Sequence, residues 1–220
     1  MNWRKEREIV LETSRKLVEK GLVTGKSGNV SLRLSQPRGQ DLIAITPTSR
    51  YYDGLAPDDI PVVDFQGKTV DGGLAPSSEI FLHTAIYKAR ANVNAIIHTH
   101  STYASAVAVA GTDIPPILEE EVALIGGEIK VAGYAVAGTS RLAQNAVDAL
   151  GSRNAVILAN HGAVGVGRTM REAMTVCELV EKAAKIYLVT LALGRVNPLT
   201  DEGLSSAKAL FARLQSTEDL

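Results

Sequence analysis

Segments with the spacing of amphipathic helices alternate with short apolar segments along the whole chain, and this alternation constrains the fold more than any other feature. The helical spacing is clear over residues 3–20, where apolar residues recur among charged ones and Gly21 follows as an expected helix end. Residues 95–97 and 155–158 carry only apolar side chains, which is typical of buried strands. The alternation therefore predicts an α/β protein.

Local patterns predict further strands and helices. Two short runs at residues 62–65 and 69–70 flank a glycine-containing turn and predict an antiparallel hairpin. Residues 169–172 have the form of a capping box and predict a helix that extends to about Leu193. Gly165-Val166-Gly167 lacks the remaining glycine of a dinucleotide-binding fingerprint, so we predict a turn there. Additional strands are expected at 30–34, 41–45 and 129–131, and additional helices at 80–89, 101–111 and 139–151.

Composition and charge exclude several classes of protein. No linker, low-complexity tract or repeat divides the sequence, so we expect one domain over residues 1–220, with a core at about 3–193 and a C-terminal tail at 194–220. With 23 Lys and Arg against 24 Asp and Glu, the chain lacks the basic surface that nucleic acids or anionic membranes require. Cys177 has no partner for an intramolecular disulfide, so we expect a cytoplasmic protein. The charged N-terminus and the lack of a long apolar run predict neither a signal peptide nor a membrane span.

Three of the four histidines follow or end predicted strands. His98 and His100 are two residues apart, so a strand would place both imidazoles on one face. His161 follows the apolar run at residues 155–158. Three histidines with an open coordination position suit a catalytic zinc ion. The alternative is that they are hydrogen-bonded polar residues at strand ends.

Glu79 is the best candidate for a further ligand or a catalytic acid/base. It lies at the start of a predicted helix, behind Ser77 or Ser78 as the expected N-cap, where the helix dipole favours a carboxylate. An ordinary capping role for Glu79 is the alternative. His83 lies one turn later on the same helical face, either as a support for the site or as a hydrogen-bonded helix residue.

Three small polar loops have the composition of anion-binding turns. They are Lys26-Ser27-Gly28-Asn29, Thr48-Ser49 and Ser77-Ser78. Backbone N–H groups and hydroxyls in such loops can hold a phosphate, although each loop alone is more often a turn or a cap. The sequence contains neither a P-loop lysine motif nor a G-x-S-x-G element, which disfavours nucleotide hydrolysis and serine esterase chemistry.

Taken in order, five motifs resemble the class II aldolase/adducin family, particularly its fuculose-phosphate aldolase branch. The resemblance extends from the first helix to about Leu193, and the motifs are specific jointly rather than singly. They are Gly25-Lys26-Ser27-Gly28-Asn29-Val30-Ser31, Thr46-Pro47-Thr48, Pro76-Ser77-Ser78-Glu79, His98-Thr99-His100 and Asn160-His161-Gly162.

The resemblance implies a fold, an assembly and a set of site residues. The fold would be an α/β/α layered domain with a central, largely antiparallel sheet, and the assembly a homotetramer with active sites at subunit interfaces. His98, His100 and His161 match the residues that bind zinc in that family, and Glu79 would be a metal ligand in the resting site and then the catalytic acid/base. The substrate phosphate would be surrounded by Gly28, Asn29, Thr48, Ser49, Ser77 and Ser78, with Lys26 and His83 as further candidates.

The implied reaction is retro-aldol cleavage of a ketose 1-phosphate to dihydroxyacetone phosphate and an aldehyde. The sugar would be of the fuculose, 5-deoxyribulose or methylthioribulose type, and Mn²⁺ or Co²⁺ could replace Zn²⁺ on the same ligands. Two departures concern the substrate. Ser49 stands where family members often have glycine and precedes Arg50, and no tyrosine occurs near residues 117–121, where fuculose-specific enzymes place one that protonates the aldehyde oxygen.

Three alternatives remain open from the sequence. A pentulose-5-phosphate 4-epimerase would share the metal site, but such enzymes tend to carry aspartate where Glu79 stands. A non-catalytic, adducin-like interaction module would not need the three histidines and Glu79 together. A zinc hydrolase would account for the metal ligands and leave the phosphate loops unexplained.

Overall fold

A computed structural model of the chain describes residues 3–34 and 41–216, and within these ranges eight strands and seven α-helices are formed. The strands are β1 (Asn29–Leu34), β2 (Leu42–Ile45), β3 (Val62–Asp64), β4 (Thr69–Asp71), β5 (Ala95–Thr99), β6 (Lys130–Ala132), β7 (Ala155–Leu158) and β8 (Gly162–Gly167). The helices are α1 (Arg4–Glu19), α2 (Ile80–Ala89), α3 (Thr102–Ala110), α4 (Glu119–Ile125), α5 (Ser140–Leu150), α6 (Met170–Ala192) and α7 (Asp201–Ser216).

The strands form one mixed sheet in the order β4-β3-β2-β1-β5-β8-β7-β6. Neighbouring strands are antiparallel except β6 and β7, which are parallel. The predicted hairpin forms as β3 and β4, and the expected largely antiparallel sheet is confirmed. Strands β5 and β8 are neighbours near the middle of the sheet. Strand β1 lies on the other side of β5, and β7 lies on the other side of β8.

Helices cover both faces of the sheet, which confirms the layered α/β/α arrangement. Alternate strand residues point to opposite faces, as Ile96 and Ile97 of β5 show. Ile96 packs in the core beneath α2 and α5, with Leu82 and Leu142. Ile97 packs on the opposite side, in the core that contains Leu17 of α1. A third cluster packs α3 and α6 on β7 and β8, on the face of the sheet that Ile97 occupies.

The predicted turn at Gly165-Val166-Gly167 is wrong, because these residues lie within β8 and are buried. A Cβ on Gly165 would lie 2.6 Å from the sulfur of Cys177, and one on Gly167 would lie 2.6 Å from the backbone nitrogen of Ala173. Both contacts come from α6. The glycines therefore allow a helix to pack closely on the strand.

Helix starts follow the predicted caps in part. The hydroxyls of Thr139 and Thr169 accept hydrogen bonds from Leu142 and Glu172, as expected of N-caps. The expectation for α2 needs correction, because Glu79 itself occupies the N-cap position. The hydroxyl of Ser77 accepts the N–H of Glu79 instead, at 3.2 Å. The Glu79 side chain makes no capping bond, so its carboxylate is available to the site.

Two helices were not predicted. Helix α4 follows Leu118, and α7 lies within the expected C-terminal tail and packs on α4. The ring of Phe211 in α7 rests against Gly126, which ends α4 with a φ of 104°. Among the described residues, no helix combines the length and apolarity needed to cross a membrane.

Candidate metal centre

Sheet register brings the three predicted strand-end histidines together. Strand β5 pairs with β8 so that His98 lies opposite Val164. Strands β7 and β8 form a hairpin whose last pair is Leu158 and Gly162, which leaves a three-residue tip containing His161. Asn160 in that tip has a left-handed φ of 56°, a conformation that asparagine tolerates better than most residues. The tip therefore lies beside the end of β5.

Gly162 explains the third part of the Asn160-His161-Gly162 motif. A Cβ at this position would lie 2.2 Å from the carbonyl oxygen of Thr99, and 3.1 and 3.3 Å from ring carbons of His100 and His98. The 2.2 Å separation is far inside van der Waals contact, and the other two are tighter than most Cβ contacts. The missing side chain is what allows β8 and the hairpin tip to approach the histidines.

The four predicted metal ligands converge. Ring centroids are 4.7 Å apart for His98 and His100, 4.7 Å for His98 and His161, and 4.9 Å for His100 and His161. The Oε2 atom of Glu79 lies 3.0 Å from Nε2 of His98, and its Oε1 atom lies 3.6 Å from Nε2 of His161. One donor atom from each residue lies within 4.8 Å of all the others, so this group could hold a metal ion.

The donor atoms suit a divalent cation. The Nδ1 atom of His98 lies 3.0 Å from the carbonyl oxygen of Ala163, which can only accept, so Nε2 of His98 presents a lone pair to the cluster. Nε2 of His100 lies 2.9 Å from that atom. The Oε1 atom of Glu79 is buried without a hydrogen-bond partner among the described residues. Converging lone pairs of nitrogen and oxygen are what a bound cation satisfies.

The protonation states also match a metal site. Burial, together with His98 and His161 nearby, lowers the pKa of His100 to about 4. Burial and His98 likewise lower the pKa of His161. Burial alone would raise the pKa of Glu79, but the facing His98 and His161 outweigh it and hold that pKa well below its ordinary range. Near neutral pH the cluster thus offers the Glu79 carboxylate and the neutral imidazoles of His100 and His161, which are the forms that bind metals.

Asn29 is part of this centre through its side chain. It lies opposite His98 in the β1–β5 pair. Its Nδ2 atom donates to Oε2 of Glu79 at 2.9 Å, and its Oδ1 atom faces Nε2 of His83. The sequence predicts Asn29 as a phosphate contact, and that remains a prediction. In this structure the nitrogen and the oxygen of its side-chain amide each form a hydrogen bond with a protein side chain.

The three predicted phosphate loops lie side by side next to Glu79. The backbone of Thr46 bonds to Val30 on one side and to Ser77 on the other, which joins the start of β1, the end of β2 and the segment before α2. The N–H of Thr48 donates to the carbonyl of Ala75 at 3.0 Å. Ser77 is buried, Thr48 is half-buried, and Gly28, Ser49 and Ser78 complete the group. Their contact with a phosphate stays a prediction.

Ser49 and Lys26 shape the outer side of these loops. Ser49 has a left-handed φ of 56°, a conformation that favours the glycine often found there in the family. The Lys26 ammonium lies 4.8 Å from the centre of the Tyr51 ring. Lys26, Ser49, Arg50 and Tyr51 line a cleft of ≈ 400 Å³. Positive charge is therefore present beside the loops.

Tyr52 is a structural residue that sequence reasoning missed. Its hydroxyl donates to the carbonyl of Gly28 at 2.7 Å, which ties the turn after β2 to the loop before β1. Burial raises the pKa of Tyr52 to about 12, so this donor stays protonated. The partners are separated by more than twenty residues, and no local pattern indicates such a contact.

Comparison with known proteins identifies the family of the chain. Residues 8–188 match the family described as class II aldolase and adducin N-terminal domain. The chain is 33% identical over 207 residues to the 5-deoxy-D-ribulose 1-phosphate aldolase of Bacillus thuringiensis serovar kurstaki, covering 94% of this chain and 95% of that one. It is 35% identical over 197 residues to the L-fuculose phosphate aldolase of Escherichia coli K12, covering 89% of each.

A solved structure gives the same result for the fold. The structure of an L-fuculose 1-phosphate aldolase superposes with a TM-score of 0.90 at 35% identity, covering 96% of this chain and 98% of that one. The chain belongs to the class II aldolase and adducin N-terminal domain family.

Proposed function

We propose that the chain is a metal-dependent sugar-phosphate aldolase that cleaves a ketose 1-phosphate to dihydroxyacetone phosphate and an aldehyde by retro-aldol chemistry. The observation that carries the proposal is the convergence of Glu79, His98, His100 and His161 beside three phosphate-type loops. The aldolases to which the chain is similar act on 5-deoxyribulose and fuculose phosphates, which supports this substrate class.

The metal and the carboxylate have separate tasks in this proposal. A divalent cation held by His98, His100, His161 and Glu79 would supply Lewis acidity toward neighbouring substrate oxygens. In the synthetic direction Glu79 removes a proton from the carbon that becomes nucleophilic, and in cleavage it returns that proton. Glu79 would be a metal ligand only in the resting site. With substrate bound its Oε1 atom suits the proton transfer, because Oε2 is held by Asn29 while Oε1 has no hydrogen-bond partner among the described residues.

The loops supply orientation. Backbone N–H groups and hydroxyls around Gly28, Thr48, Ser49, Ser77 and Ser78 hold the phosphate in this proposal, with Lys26 as an additional cation. A phosphate fixed there sets the distance between the sugar carbons and Glu79. Such positioning converts weak acid/base catalysis into an efficient step, because the reacting atoms are held in register.

Several finer points belong to the same proposal. We propose Zn²⁺ as the bound metal, with Mn²⁺ or Co²⁺ as substitutes that the same ligands accept. We propose that residues 1–220 act as one catalytic domain in the cytoplasm, assembled as a homotetramer with active sites at subunit interfaces. Metal analysis and sedimentation equilibrium of the purified protein test the metal and the assembly.

A coupled assay for dihydroxyacetone phosphate tests the reaction. The panel contains fuculose, 5-deoxyribulose and methylthioribulose 1-phosphates, and metal content is measured in parallel. We expect cleavage of at least one sugar, loss of activity on chelation and recovery with Zn²⁺. Conversion of L-ribulose 5-phosphate to D-xylulose 5-phosphate without triose phosphate would instead identify an epimerase. A protein that binds no divalent ion would contradict the enzyme proposal.

Glu79→Gln is the matched variant for this assay. The amide keeps the size of the side chain and can still occupy the N-cap position of α2, but it cannot remove a proton. We expect cleavage to fall by about 10²–10⁴-fold, the usual contribution of an acid/base group, with thermal stability close to that of the parent. Turnover near the parent rate would remove Glu79 from the catalytic role.

A further inference from the structure

A row of alternating polar side chains leads from Glu79 into the core between α2 and β1. Helix α2 contributes His83 and Tyr87, which follow Glu79 at intervals of four residues, and β1 contributes Asn29 and Ser31. We call these five residues the polar ladder. All five are buried, with exposed fractions between 0% and 6%.

The ladder forms because the two elements have matching repeats. Four residues of an α-helix advance by about 6 Å, and two residues of a strand advance by about 6.6 Å. Helical positions four apart therefore interleave with strand positions two apart. Asn29 lies between Glu79 and His83, and Ser31 lies between His83 and Tyr87.

Hydrogen bonds join every step of the ladder. Asn29 is 2.9 Å from Glu79 and its Oδ1 atom is 2.5 Å from Nε2 of His83. Ser31 is 2.6 Å from Nδ1 of His83 and 2.9 Å from the hydroxyl of Tyr87. The row is therefore continuous from the candidate metal centre to Tyr87.

The carboxylate fixes the direction of the bonds from Glu79 as far as Ser31. Glu79 can only accept, so Asn29 must turn its NH₂ group toward Glu79 and its oxygen toward His83. His83 must then carry its proton on Nε2, which leaves Nδ1 as an acceptor for the Ser31 hydroxyl. The oxygen of Ser31 then faces the Tyr87 hydroxyl as an acceptor, and that hydroxyl also lies 3.3 Å from the carbonyl oxygen of Asn94. Burial lowers the pKa of His83 to about 3, which is consistent with a neutral ring of one tautomer.

We propose that Ser31, His83 and Tyr87 are positioning residues that act through Asn29 to fix the Glu79 carboxylate, with its Oε1 atom left free for the proton. This inference rests on the proposed function and deepens it. Glu79 has no capping bond to hold its side chain, so Asn29 supplies the hydrogen bond that orients Oε2. The rest of the ladder keeps the Asn29 amide from rotating.

Ser31→Ala tests the ladder at a position that touches neither the metal ligands nor Asn29. The variant leaves Nδ1 of His83 and the Tyr87 hydroxyl without their bonds to Ser31. We expect kcat to fall by about tenfold with KM within twofold, and the dissociation constant for Zn²⁺, measured by chelator competition, to rise by about tenfold. Ser31→Thr keeps the hydroxyl and is expected to recover most of both losses. Tyr87→Phe is the second variant and should shift both values in the same direction by a smaller factor.

Thr84→Val is the control. Thr84 is a buried hydroxyl residue of α2 outside the ladder, and its hydroxyl bonds within its own helix to the carbonyl of Phe81. It therefore reports the effect of losing a buried hydroxyl alone.

Nitrogen-15 spectra of the histidine side chains give an independent result, with the His83 signal assigned by its absence in His83→Phe. We expect a single neutral tautomer protonated on Nε2 in the parent, and a ring protonated on Nδ1 would overturn the ladder.

The outcomes separate the ladder from the proposed function. A Ser31→Ala variant whose kcat and zinc dissociation constant equal those of Thr84→Val, whatever its thermal stability, would overturn the positioning role. If the parent cleaves no ketose 1-phosphate, the proposed function fails. The zinc affinity and the His83 tautomer would then still decide whether the ladder positions Glu79.

Discussion

His161 reaches the other two histidines because the residue after it has no side chain. The backbone of Thr99 occupies the space where a Cβ on Gly162 would lie. A backbone atom of a central strand cannot move aside without shifting β5 and the two histidines at its end. At this position glycine is required by close approach, since its φ is not in the left-handed region.

Gly162→Ala should therefore damage the metal centre. We expect the variant to retain little divalent metal after dialysis, because β8 must move away from β5 and take His161 with it. Thermal stability should also fall. Gly133→Ala is the control, since its Cβ would be 3.5 Å from the Asn145 side chain, an ordinary contact. Full metal content in Gly162→Ala would show that the hairpin tip tolerates displacement.

The sequence indicates some residues of this centre and not others. His98, His100 and Glu79 were found because each marks the end of a strand or the start of a helix, where few structural roles require those side chains. Ser31 and Tyr87 were not found. Their partners are more than fifty residues away along the chain, and the matching of helix and strand repeats appears only when α2 lies on β1.

At the scale of elements, glycine has two structural roles that a local sequence pattern cannot distinguish: it allows close packing within a strand, and it ends helices. Gly165 and Gly167 suggested a turn, but they lie in a buried strand because α6 packs against them. Gly111 and Gly126 do end helices, with φ values of 66° and 104°. The role of a glycine becomes clear only from the element that packs on it, and that element can lie elsewhere in the sequence.

Gly126→Ala should weaken the attachment of α7. A Cβ there would lie 2.8 Å from the ring of Phe211, in addition to the left-handed backbone cost of about 1–2 kcal/mol. Gly111→Ala has the backbone cost alone, because nothing lies within 4 Å of its Cβ. We expect the free energy of unfolding to fall further for Gly126→Ala than for Gly111→Ala, and limited proteolysis to cut α7 faster. Equal losses would mean that Phe211 moves aside freely.

At the scale of the molecule, the order of strands could not be predicted, although most strands could. Apolar runs identify β5 and β7 individually, but the insertion of β8 between them depends on pairings across the whole sheet. The metal centre is a product of that order, since β5 and the β7–β8 hairpin supply all three histidines. The resemblance to a family supplied the layered arrangement that local patterns could not.

The pH dependence of stability is also a property of the whole molecule, and opposing groups contribute to it. The pKa values of His83 and His100 in the folded protein are lowered to about 3 and about 4. As the pH drops below about 6.5, these histidines bind protons in the unfolded chain before they do so in the folded protein. The free energy of unfolding therefore falls as the pH drops. Glu121 has the opposite effect. It is fully buried at the start of α4, and burial raises its pKa to about 7. Its neutral form favours folding, so its contribution is lost as pH rises from about 4.5 to about 7.

Glu121→Gln isolates that contribution, because the histidine effects are common to both proteins. The amide oxygen can still accept from the N–H groups of Ile117 and Leu118, but the side chain carries no charge at any pH. In urea unfolding of the metal-free proteins, the variant's stability relative to the parent should rise steadily between pH 4.5 and 7 and level off above. Glu119→Gln, which removes an exposed carboxylate from the same turn, is the matched control. A constant difference between Glu121→Gln and the parent would mean that Glu121 is ionised in the folded protein across this range.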